Sequence, residues 1–122
     1  MTRLLFAVLI MINFFSSAAK AESQRVHDDI VFDLLFPAEM AIQESKACGK
    51  NDLSASVTQM FTSLVAAAGY DENYAERLLQ QEFQRSYSNL TPTLCDESKV
   101  AEMVHSVQIW SKKTLADIAA EQ

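Results

Sequence analysis

From residue 23 onward, apolar positions recur every three or four residues, the period of a helix face rather than of a strand. Between about Ser23 and Ala47 two adjoining rows stand out: Val26, Ile30, Leu34 and Ala41, beside Val31, Leu35, Ala38 and Ile42. Ser23 is placed to cap this segment, and Gly49, just past Cys48, to stop it. Pro37 lacks the N–H for a bond to residue 33, so a kink or break is expected there. A strand over Ile30–Phe36 is the alternative, because Ile-Val-Phe is β-prone, but the flanking period favours helix.

Three more helices follow from the same pattern. The second, from about Leu53 to Ala68, carries Val57, Met60, Phe61 and Leu64 at helical spacing, with Asp52 as N-cap and Gly69 as stop. The third, about Glu72 to Ser88, is capped by Asp71 and presents Ala75, Leu78, Leu79, Phe83 and Ser86. The fourth starts after Cys95, where Asp96 and Glu97 suit the positive helix N-terminus. Its apolar positions are Val100, Met103, Val104, Val107, Leu115 and Ile118.

Residues 1–21 follow a different pattern. Arg3 precedes an apolar run from Leu4 to Phe15 broken only by Asn13, and Ala19-Lys20-Ala21 offers a small-x-small cleavage pattern. This reads as a signal peptide cut before Glu22, leaving a single helical domain at 22–122 in the periplasm or outside the cell. The alternative, an uncleaved anchor, would span only about 18 Å of helix against a hydrocarbon core of ~30 Å. Removing 21 of the 122 residues leaves 101 and takes away Arg3 and Lys20 but no acid, so the net charge moves from −6 to −8.

A mature chain of that size is marginal without covalent help. Cys48–Cys95 is the only intrachain disulfide the composition allows, two free thiols or an intermolecular bridge being the rival reading. Short connections make sequential helices antiparallel, which brings the end of helix one and the start of helix four to the same end, where both cysteines lie. The expected fold is therefore all-α, a small four-helix bundle or helical array stapled by Cys48–Cys95. With 49% hydrophobic residues, two Gly and two Pro, the chain is neither disordered nor rich enough in turn residues for a β-sandwich. Its acidity disfavours nucleic acid or an anionic membrane surface as partner.

Candidate chemistry is thin. Glu102-Met103-Val104-His105 has the Glu-x-x-His spacing of di-iron bundles, but no second such pair exists and both residues fall beside the apolar stripe. Met40 and His105 could stand at similar depth as haem ligands, and Met60 and Met103 are equally well explained as pliable core filler. Asp28, Asp29 and Asp33 form an acidic cluster that the helix dipole partly explains and calcium could use. The one S-x-x-K, Ser17 to Lys20, lies in the leader, the Asn89 sequon is followed by Pro92, and no G-x-S-x-G, phosphate loop or H-E-x-x-H occurs. No enzyme, no cofactor and no metal site is expected.

Two features point to binding. Six of the seven residues Ile30–Phe36 are apolar, so Phe32 and Phe36 are either covered by a neighbouring helix or form an exposed contact. Leu53–Tyr70 has no charge over eighteen residues, its weakly polar side being Ser54, Thr58, Gln59, Thr62 and Ser63. That helix is either sandwiched in the fold or a face for a partner. The candidate contact set is Phe32, Phe36, Thr58 and Thr62. The partner expected is another protein, of adaptor, inhibitor or immunity kind, with a homodimer as the other option and no membrane span after cleavage.

Thr91-Pro92 ahead of Cys95, the turn with Asp96, Glu97 and Lys99 after it, and Trp110 with Lys112 and Lys113 on helix four form a further pattern. With the leader and one disulfide closing nearly half the chain, it resembles the small periplasmic acid-stress chaperones of the HdeA/HdeB type. That resemblance implies a dimer that separates in acid and exposes apolar surface to unfolding clients. Protonating all sixteen carboxylates would swing the mature chain from −8 to about +10 once both histidines charge, enough self-repulsion to loosen many helical proteins.

Overall fold

The computed structural model describes residues 24–87 and 94–121 of the chain. The leader at 1–21, its cleavage point, the Ser23 cap, the Asn89 sequon and the Thr91-Pro92 pair lie outside the described residues. Residues 24–28 are α-helical and widen into a π-helical stretch, Asp29–Leu34, which continues as α1, Leu35–Ala47. Then come α2 (Asn51–Ala67), α3 (Glu72–Tyr87) and α4 (Glu97–Glu121). The described part is an all-α bundle stapled by one disulfide, Cys48–Cys95, with Cα atoms 4.6 Å apart.

Pro37 does not break the first helix. The Leu35 N–H reaches back to the Ile30 carbonyl, five residues away, so the chain gains one residue per turn just ahead of the proline. Pro37 then falls in the first turn of α1, where its missing N–H and its ring are tolerated. The strand alternative over Ile30–Phe36 gives way to helix throughout.

Both glycines end a helix in the same way. Gly49 (φ 72°) and Gly69 (φ 94°) adopt the left-handed backbone that a side chain disfavours. Lys50 N–H then bonds Ser45 O at 2.8 Å and Gly49 N–H bonds Lys46 O at 3.0 Å; Tyr70 to Val65 (3.2 Å) and Gly69 to Ala66 (3.0 Å) repeat the pattern. Helix starts are capped by Asp71, whose Oδ1 accepts the Asn73 N–H at 2.9 Å, and by Asp96, whose Oδ1 accepts the Lys99 N–H at 3.1 Å. Asp52 is not a cap: α2 begins one residue earlier, and Asp52 sits in its first turn, favourable to the dipole.

α1 is the central element and packs against each of the other three helices. α3 and α4 each touch both α1 and α2, so they occupy the two opposite furrows of the α1–α2 pair. α4 runs antiparallel to the first helix: Cys48 joins Cys95, Lys99 Nζ lies 3.8 Å from buried Glu44, and Lys113 Nζ bonds Asp29 at 2.9 Å. α3 runs parallel to it, with Tyr74 against His27 and Tyr87 against Met40.

Both predicted rows of the first helix are in the core, with only Val31 partly exposed. α4 differs from expectation. Its buried stripe runs Val100, Val107, Ser111, Thr114, Ile118, while Leu115 is half exposed. The spacing from 107 through 111 and 114 to 118 keeps one side of a helix, and Leu115 lies about 100° round from Thr114. The two hydroxyls are satisfied inside, Thr114 by the Trp110 carbonyl (2.7 Å) and Ser111 by the Met60 sulfur (3.5 Å).

Candidate functional site: a groove floored by α1

α2 is not sandwiched. Val57, Phe61, Leu64 and Val65 are buried, while Ala55, Ser56, Gln59, Ser63, Ala66 and Ala67 make an exposed, charge-free face. Thr58 and Thr62 stand at its edge. Each donates its hydroxyl to the carbonyl four residues back, Ser54 O at 2.9 Å and Thr58 O at 2.8 Å. Their protons are thus committed to their own helix, and they offer a partner methyl groups and acceptor lone pairs only.

These two threonines form one wall of a groove of about 750 Å³ between α2 and α3. Its floor is Glu39, Ile42 and Gln43 of α1, with Lys46 at one end; its other wall includes Glu72, Glu76, Leu79 and Phe83 of α3. Phe36 lies three residues before Glu39 and is 44% exposed, and Phe32 is 73% exposed. Both phenylalanines are therefore uncovered. Phe83, on the side of the third helix with Ala75 and Leu78, is partly exposed and stacks on Tyr87.

The helix period did not reveal that four carboxylates, Asp29, Glu39, Glu44 and Glu82, are buried. Glu39 is the one at the groove. Burial pushes its carboxyl up to about 7, and the Glu82 charge adds to this, against the Gln43 hydrogen bond (2.8 Å) and Lys46. Glu82 is held by Arg85 Nε at 3.0 Å and by the Ser86 hydroxyl. Nearby, burial with Glu44 and Glu39 pushes the Tyr87 phenol up to about 12. A signal for Glu82 existed: it continues the Ala75–Leu78 stripe at helical spacing.

At the other end, Asp29 accepts from Lys113, which also lies 3.4 Å from Asp117. Burial first, then the Asp117 carboxylate beside it, raises Asp29; Asp117 is lowered by its bond with Asp29 and by Lys113. The Asp28–Asp29–Asp33 cluster is thus divided, Asp29 pointing inward to α4 and Asp28 bonding Gln24. Met40 is buried with its sulfur taken by Tyr87, whereas His105 is exposed, so the structure does not pair them at one depth. Glu102 is exposed as well.

No family model, curated protein or solved structure matches the chain. No helix among the described residues is long and apolar enough to cross a membrane.

Proposed function

We propose that the protein is an exported, non-enzymatic helical domain, periplasmic or secreted, that binds another protein. Its contact face combines Phe32 and Phe36 with the groove at Thr58 and Thr62. Phe32 carries this reading: an aromatic ring 73% exposed on a helix whose other apolar residues are largely buried. Burying such a ring is worth roughly 2–3 kcal/mol, and Phe32 and Phe36, one turn apart on the same helix, offer that apolar area together. The Cys48–Cys95 bond supports the exported part, since such bonds persist in oxidising compartments.

The test is affinity capture from a native envelope or secreted fraction with the wild type and with Phe32→Ser/Phe36→Ser. Both rings being exposed, the double variant keeps its helical circular dichroism and loses the partner. Undiminished capture would sink the reading.

A second reading, the acid-stress chaperone type, draws on the way α4 is held. Glu44–Lys99 and Glu97–Lys50 (2.7 Å) tie α4 to the first helix and the turn after it through carboxylates, and full protonation dissolves such pairs. Glu39 and Asp29, both raised by burial, work in the opposite sense in mild acid, so opening belongs well below pH 5. ANS fluorescence and client protection that stay flat from pH 7 to pH 2 would remove this reading.

A further inference from the structure

We propose that the groove between α2 and α3 receives a cationic amphipathic helix of the partner, one of whose lysines or arginines seats on Glu39. This rests on the protein-binding reading and names the chemistry of the partner. The groove joins apolar surface (Ile42, Leu79, Phe83) to three carboxyl groups, Glu39 on the floor with Glu72 and Glu76 on the wall, against, among the described residues, the single cation Lys46. That is the complement of a helix with one apolar and one basic side. The walls are helices, so no strand edge is offered for β-pairing. The threonine hydroxyls being committed, charge and shape are left to select the occupant.

Glu39 is the anchor because its residue is 3% exposed and, among the described residues, no cation pairs with it. Gln43 donates one hydrogen bond; Lys46, a turn or two away, makes no ion pair with it; across on α3, Glu82 has its own Arg85, and the Tyr87 phenol is pushed up by burial, Glu44 and Glu39; α2 contributes only uncharged Thr58 and Thr62 to the groove. An incoming ammonium or guanidinium supplies the missing charge. It also favours the ionised carboxylate, so a Glu39 that is about half protonated at pH 7 gives up its proton to the buffer on binding.

The experiment titrates the full chain, in two buffers of different ionisation enthalpy, with a synthetic leucine–lysine amphipathic helix and its leucine–glutamate counterpart. The lysine peptide should bind at least about tenfold tighter, releasing roughly half a proton at pH 7 and almost none at pH 9. Glu39→Gln should abolish the proton release and weaken binding about tenfold. Glu102→Gln, which removes the same charge from an exposed site on α4, should change neither. Equal affinity for the two peptides, or proton release that survives in Glu39→Gln, overturns the proposal. Failure here, with native partner capture still lost in Phe32→Ser/Phe36→Ser, removes the groove chemistry and leaves the binding face. Capture that survives the phenylalanine variant removes the face itself.

Discussion

Glu39 is the residue where stability and chemistry meet. Its carboxyl is raised from an ordinary 4.5 to about 7 by burial, so folding favours the protonated form. The sign follows: the stabilisation is complete below about pH 4.5 and fades as pH rises through 7. Allowing for water at the groove, the swing is about 1–2 kcal/mol. Wild-type melting temperature should therefore fall between pH 5 and pH 8 by roughly 5–10 °C. Glu39→Gln should flatten that slope, raising Tm at pH 8 while leaving it nearly unchanged at pH 5. A slope identical in the two proteins would show that the carboxyl is better solvated than its burial implies. Asp29 is raised for the same first cause and leaves a shallower residual slope in the variant.

At the scale of the helices, the left-handed stops and the true core stripe of α4 make separate predictions. Nothing lies within 4 Å of a Cβ built on Gly69, so Gly69→Ala costs only backbone strain, about 1–2 kcal/mol by urea titration. Val107→Ala should cost about 2 kcal/mol through the space it empties, whereas Leu115→Ser should stay within about 0.5 kcal/mol. The reverse ranking would put Leu115 in the core. Helix existence, the glycine stops and the Asp71 cap were legible because each is a local rule written in a few adjacent residues, and the cysteine pairing because the sequence holds only two cysteines. The centrality of α1 was not, since Glu39 and Glu44 look like a solvent face until three other helices surround them. Ser111 and Thr114 were missed because polar side chains at helical spacing read as solvent-facing; inside, Ser111 is satisfied by Met60 across the core and Thr114 by the Trp110 carbonyl of its own helix. Phe32 and Phe36, and Thr58 and Thr62 at the groove, were readable as an unusual surface, but the acid on the groove's floor was not.

For the whole molecule, the disulfide is the largest single term. Closing a loop with a sequence separation of 47 restricts the unfolded chain by roughly 4 kcal/mol. Cys48→Ser/Cys95→Ser should keep the helical spectrum at low temperature but lower Tm by more than about 15 °C. A shift of only a few degrees would mean that the unfolded chain already holds these ends together. Hydrogen exchange should be slowest in α1, which the other helices enclose, and faster in α3, where most of the outer positions are exposed.

The same bond also decides how the molecule answers to force. Residue 24 and residue 121 lie at the end of the first helix–α4 pair away from the disulfide, beside Asp29, Lys113 and Asp117. Tension applied between them peels the two helices apart one layer at a time toward Cys48–Cys95 and stops there. α2 and α3 sit inside the covalent ring and carry no load, losing their neighbours but never being pulled. Reduction would remove the stop and release roughly 160 Å of further chain. A mechanical trace with and without reductant should differ by that step.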